Sequence, residues 1–307
     1  RLSAVQSHVG NLVDARGLAE RARDRAVVAP QRALALLQLA TVGVLEDRLE
    51  ASLEQTEEAL RLLRSDTTWS LPGALAGAHL VRSRVYKSAG DIARALAAAR
   101  QALDLARAAG ERRLLCETTA RLGWLMLDID RPEEAQALLR EAQLLAREIE
   151  DRRGEALSTL FLGILLWEVD DPEALLTIES AEQMAADLGL ARVAQLAIAL
   201  RARIEHASGN HAQALETSER AIHSMERHGA EWNDRVVIVG THAMCLRSAD
   251  RPKPAKEAER ALRRQLDREN KALVSPALRD RHRRRSEALI AAVISPEGPV
   301  YPRVHLP

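Results

Sequence analysis

Apolar residues recur along this chain at spacings of three, four and seven. Ala135, Leu138, Leu139, Ala142, Leu145, Ala146 and Ile149 form one stripe, and the same stripe appears forty residues earlier as Ala95, Ala98, Ala99, Ala102, Leu105, Ala106 and Ala109. Such spacing predicts amphipathic helices with one buried face. Each is preceded by a second periodic segment. Leu115, Leu122, Leu125, Met126 and Ile129 belong to one of these, and Leu157, Leu160, Phe161, Ile164, Leu165 and Val169 to the next. Turn signals separate the two members of each pair: Gly90-Asp91, Asp130-Arg131-Pro132, Asp170-Asp171-Pro172, Gly209-Asn210 and Asp250-Arg251-Pro252, with a weaker copy at Asp47-Arg48-Leu49. Glycine supplies a left-handed residue, Asp and Asn are expected to cap the next helix, and Pro suits its first turn. Self-similarity at a fixed period is the signature of a solenoid.

Small residues mark where the helices must approach closely. Alanines lie seven apart at Ala95/Ala102, Ala135/Ala142, Ala174/Ala181 and Ala214/Ala221, every 39–40 residues. The preceding helix carries a small residue mid-way at Ser83, Gly123, Gly163 and Ala202. Glycine inside a helix costs about 1 kcal/mol relative to alanine, so its recurrence there implies backbone contact with a neighbouring helix. Ser83, Tyr86, Gly90, Ala95 and Ala102, and equally Leu122, Gly123, Met126, Ala135 and Ala142, resemble the tetratricopeptide repeat. The period of forty exceeds that family's usual thirty-four, and no proline closes the second helix. The pattern looks like the longer-helix variant of bacterial regulators of the maltose-activator type and of multidomain bacterial signalling proteins. The resemblance covers residues 31–270. It implies an all-α, right-handed superhelical solenoid of about six helix pairs, with the first helices on the concave face.

The expected organisation is four-part. Degenerate helical repeats occupy 1–73, with a helix over 1–28, a helix pair over 30–64 and a break around Trp69. Tetratricopeptide-like repeats occupy 74–270, four of them clear over 74–229 and a fifth looser over 230–270, followed by a C-terminal capping helix 271–294 and an extended tail 295–307. The absence of a starting methionine suggests a segment of a longer protein.

Composition supports the helical reading. Aromatics are 2% of the 307 residues, which argues against all-β folds and against base-stacking platforms. Net charge is zero, but residues 251–285 carry 13 basic and 5 acidic side chains. Nucleic acid is therefore not an expected partner, except through Arg279, Arg281, Arg283, Arg284 and Arg285; a solvated capping helix accounts for that run equally. No stretch is long and apolar enough to cross a membrane and no secretory signal is visible, which points to the cytoplasm.

The residues offer no catalytic constellation, no cofactor motif and no metal cage. His206 and His211 straddle a turn, His223 and His228 are five apart on a helix, and Cys116 and Cys245 read as small buried hydrophobes. The family's groove positions, carried over, fall at Leu80, Arg84 and Lys87; Ala120, Trp124 and Asp128; Leu160, Ile164 and Trp167; Ala199, Arg203 and His206; and Ala243 and Arg247. From these the resemblance implies peptide contacts at Arg84, Lys87, Trp124, Trp167, Arg203, His206 and Arg247. Trp124 and Trp167 serve equally as packing between repeats. The set lacks the Lys/Asn pattern of the family's carboxylate-clamp members. The expected function is protein or peptide binding, with no enzyme activity, as the scaffold or sensor region of a larger bacterial regulatory protein. Rival readings are a small-molecule or oligopeptide sensor, favoured by a closed superhelix with a polar inner surface, and a self-association module.

Overall fold

The structure, a computed structural model, describes residues 12–65, 72–295 and 298. The expected helix before residue 12, the break around Trp69 and most of the tail after 295 lie outside the described residues. Among the described residues there are helices and no strand. In chain order they are α1 (Leu12–Asp24), α2 (Ala29–Leu45), α3 (Leu49–Ser65), α4 (Pro72–Ser88), α5 (Ile92–Ala109), α6 (Arg112–Asp128), α7 (Pro132–Glu148), α8 (Arg152–Glu168), α9 (Ala174–Asp187), α10 (Ala191–Ala207), α11 (His211–His228), α12 (Trp232–Ser248), α13 (Pro252–Ala272) and α14 (Pro276–Ile294).

Antiparallel pairs stack in sequence, as the forty-residue period requires. The even-numbered helices α2 to α12 also pack on one another from pair to pair, which makes them the inner layer. Burial follows from that placement. On the outer helix α7 the buried residues are Ala135, Leu139, Ala142 and Ala146, a single stripe; on the inner helix α8 burial runs from Glu155 and Ala156 through Ser158 to Leu166. Every alanine of the seven-residue spacing is buried. The mid-helix small residues do what their recurrence implied. A Cβ on Gly163 would lie 2.6 Å from Ile178 Cγ1 and one on Gly123 2.9 Å from Leu139 Cγ, while Ser83 Oγ donates to the Ala95 carbonyl at 2.8 Å.

The turns correct one expectation. Asp47, Asp130, Asp170 and Asp250 do not cap the next helix. They take left-handed backbone at φ 59°, 58°, 56° and 55°, the place held by Gly90 (77°) and Gly209 (81°) in the sister repeats. Aspartate tolerates that conformation better than most side chains. Where a side chain caps, it belongs to the following residue: Asp91 accepts from the Arg94 amide and Asp171 from the Glu173 amide, whereas Arg131, Arg251 and the expected cap Asn210 give no side-chain cap.

Two features close the superhelix on itself. The turn after α2 reaches the start of α12, where Asp47 Oδ1 accepts the Trp232 amide at 3.1 Å. Glu50 at the head of α3 accepts the amides of Val274 (3.0 Å) and Ser275 (2.6 Å), which lead into α14. Asp47 and Glu269 meet at this seam. Burial first, and then each other's charge in the case of Asp47, pushes Asp47 up to about 8; burial pushes Glu269 up to about 7. Arg235 opposes both shifts without cancelling them. The folded chain therefore holds protons that the unfolded chain has released above about pH 4. Binding more protons in the native state makes stability fall as pH rises from about 4 to about 8. Asp47→Asn removes most of that slope, because Asn still accepts the Trp232 amide but cannot ionise. Urea midpoints of both proteins at pH 5 and pH 8.5 check this; equal slopes contradict it.

Candidate functional site

The concave face is divided between two occupants: the C-terminal helix takes one half and a cavity the other.

α14 lies against the C-terminal ends of the inner helices. Arg285 pairs with Asp128 of α6 at 2.5 Å, and Lys87 of α4 pairs with the same carboxylate. Burial pushes Lys87 down to about 8. Burial also opposes the charge on Asp128, but Lys87 and Arg285 overcome it and hold the carboxyl below its ordinary range. Arg281 pairs with Asp91 at 3.6 Å, and the Trp232 indole N–H donates to Ser286 Oγ at 2.7 Å. Leu289, Ile290 and Val293 are at most 1% exposed, and Val293 covers Gly240 of α12.

The far end of α14 is held by Arg203 of α10. This guanidinium is 1% exposed and donates to the carbonyls of Val293 (2.8 Å), Ser295 (2.9 Å) and Gly298 (2.5 Å). Helix C-termini leave carbonyls without intrahelical partners, and a cation there is favoured by the helix dipole. Arg247 adds a bond to the Ile294 carbonyl at 3.3 Å and pairs with Glu259. The basic run therefore divides. Arg281 and Arg285 face the solenoid, Arg279 donates to the Leu273 carbonyl, and Arg283 and Arg284 are exposed.

The cavity lies against the C-terminal halves of α2 and α4, the length of α6 from Glu117 to Trp124, the N-terminal halves of α8 and α10 and the start of α12, and has a volume of about 110 Å³. Its floor is apolar: Trp124, Leu157, Leu160, Phe161 and Leu196. Trp124 stacks on Phe161 with ring centroids 4.4 Å apart. Thr41 and Leu45 of α2 close one side and Glu231 and Asp234 of α12 the other, so six successive inner helices contribute. Four arginines line the walls: Arg84, Arg121, Arg153 and Arg192. Arg192 pairs with two carboxylates, Glu231 at 2.9 Å and Asp234 at 2.8 Å. Arg121 lies over the Trp124 ring at 5.0 Å, and burial, then the Arg84 charge, pushes it down to about 10.

Of the expected groove residues, Arg84 and Trp124 reach the cavity. Lys87 touches it indirectly, its Nζ lying 4.1 Å from the Trp124 ring centroid. Trp124 is both cavity floor and core at 6% exposure, which joins the two placements left open by the sequence. Trp167 packs half-buried against the core. Arg203 and Arg247 bind α14, and His206 Nε2 meets Ser248 Oγ at 2.6 Å. Arg121, Arg153 and Arg192 were not anticipated. Their signal was a charged residue on a helix buried on nearly every side. Among the described residues no three metal-ligating side chains converge, and no helix is long and apolar enough to cross a membrane.

Neither a family model nor a curated protein matches the sequence. Solved structures do match in shape. A Rap protein complexed with Competence and Sporulation Factor is 14% identical with a TM-score of 0.67, over 95% of this chain and 82% of that one. NprR in complex with its cognate peptide NprX is 12% identical with a TM-score of 0.60, over 93% of this chain and 83% of that one. A signal-transduction ATPase with numerous domains and a tetratricopeptide repeat sensor, from Pyrococcus horikoshii, is 14% identical with a TM-score of 0.56; this chain covers 43% of it.

Arg203→Met tests the seat of α14. It leaves several buried carbonyls without a donor and is expected to cost about 2–4 kcal/mol in urea unfolding. A cost under about 0.5 kcal/mol contradicts the assignment. The chain has the all-helical tetratricopeptide-type repeat fold of these structures.

Proposed function

We propose that this chain is the sensor region of a larger bacterial regulatory or signalling protein, and that it binds a short peptide in the concave cavity. It acts by binding rather than catalysis, and works in the cytoplasm. The observation that carries this reading is the closed superhelix. A protein partner needs a broad open groove, but here the seam at Asp47 and Trp232 shuts the ring and α14 fills half of its inner face. What remains is a cavity with an open mouth, to which six inner helices contribute. Its apolar floor and charged walls suit side chains and backbone together, and buried aromatics with arginine are the usual anchors. The Rap and NprR structures, similar in fold, hold Competence and Sporulation Factor and a cognate peptide. The tetratricopeptide-type sensor of the ATPase supports the placement of such a unit within a longer chain.

Native mass spectrometry against a random heptapeptide library tests this. Selected peptides are expected to bind one per chain, and Val193→Trp, which fills the cavity from a half-buried wall position, to weaken them at least about tenfold while helicity is unchanged. Failure to retain any peptide, or retention unaffected by Val193→Trp, overturns the reading.

A further inference from the structure

Arg84, Arg121 and Arg153 come from three successive inner helices and lie along one wall of the cavity. Among the described residues none of the three makes an ion pair. Arg121 stands out. Its Nε is buried without a hydrogen-bond partner, a state shared with Arg82, Arg192, Arg201, Arg203 and Arg281. Each of those five has an ion pair or hydrogen bond through its guanidinium: Arg82 with Gln101, Arg192 with Asp234, Arg201 with Glu182, Arg203 with the α14 carbonyls, and Arg281 with Asp91 through Nε itself. For Arg121 the structure gives only the faces of Trp124, at 5.0 Å, and Phe161, at 6.0 Å.

A desolvated cation without an anion is costly, and three on one wall repel one another. Glu117 lies on the same wall and offsets one charge, without forming an ion pair. Glu231 and Asp234 stand at the α12 side; Arg192 pairs with both and offsets one of their two charges, and the Glu231 charge also reaches Arg121, without forming an ion pair with it. The four cavity arginines face three carboxylates, so the cavity carries about one uncompensated positive charge beside an apolar floor. That arrangement lowers the stability of the empty protein and is relieved by an anionic ligand. Guanidinium is a planar fork whose geometry matches a carboxylate. These arginines also stand apart from the family register, which put only Arg84 in the groove.

We propose that Arg121, flanked by Arg84 and Arg153, is a binding site for a ligand carboxylate, with Trp124, Leu157 and Phe161 receiving the adjoining apolar group. The carboxylate is the C-terminus of the bound peptide or an Asp or Glu side chain near it. The proposal rests on the peptide reading for the source of the carboxylate, and on the unpaired guanidinium for the site itself.

The experiment is an array of pentapeptides made with free-acid and with amidated C-termini, each with and without one Asp or Glu. Peptides carrying a carboxylate should bind at least about tenfold tighter than neutral amides, with a preference that falls as salt is raised. Preference for free acids over amides identifies the C-terminus as the source; preference for Asp or Glu regardless of the end identifies the side chain. Arg121→Met should abolish the preference for carboxylate over neutral amide, and Arg153→Met should reduce it about threefold. Without ligand, Arg121→Met should melt above wild type, because a cation lacking its anion has been removed. A variant melting below wild type marks Arg121 as a structural residue and overturns the proposal, as do equal affinities for acid and neutral peptides. If no peptide binds in any form, the peptide reading fails alone. Citrate then decides: a rise in melting temperature for wild type and none for Arg121→Met sustains the carboxylate site. No rise, or a rise with phosphate alone, overturns it.

Discussion

The structure depends on how its charged inner face is neutralised. Lys87, Asp128 and Arg203 sit on the concave sides of α4, α6 and α10, at most 5% exposed. Charges so placed are tolerable only when paired. The partners come from the far end of the chain: Arg285 joins Lys87 on Asp128, and the terminal carbonyls of α14 receive Arg203. Helix α14 is thus held at both ends by the groove it occupies, and its apolar residues complete the core between them. Solenoid stability is usually a sum of neighbour contacts. Here contacts between residues 157 and 185 apart bind the first repeats to the last.

Closure also defines the candidate site. With α14 seated on Lys87, Asp128 and Arg203, the open part of the concave face runs from the C-terminal halves of α2 and α4 across α6 to the N-terminal halves of α8 and α10. Trp124 stands at the border. It forms the cavity floor with Phe161, supports Arg121 on one side and meets Lys87 on another. The cavity and the seat of α14 therefore share a side chain.

The repeats were legible because local physics writes them. Ala135 and Ala142, or Gly163 over Ile178, declare a helix interface through size and spacing within one repeat. Turn positions were legible too, though Asp130 and Asp170 looked like caps, since aspartate serves both as a cap and as a left-handed residue. The docking of α14 left no such trace. Arg203 and the Val293 carbonyl are 90 residues apart, and no period links them. An arginine that caps a distant helix and one that faces a ligand read alike in sequence. The cavity arginines escaped for the same reason: family register pointed to Trp124 and Asp128, while Arg121, three residues before Trp124, looked like an ordinary surface residue.

The central claim is that the C-terminal helix is an integral part of the concave face. Native-state hydrogen exchange of the full chain tests it most directly. Residues 286–294 should exchange as slowly as the core of α8, since both open only when the whole chain unfolds. Exchange of those amides within seconds, while α8 remains protected, would show that α14 does not hold its seat and would contradict the account.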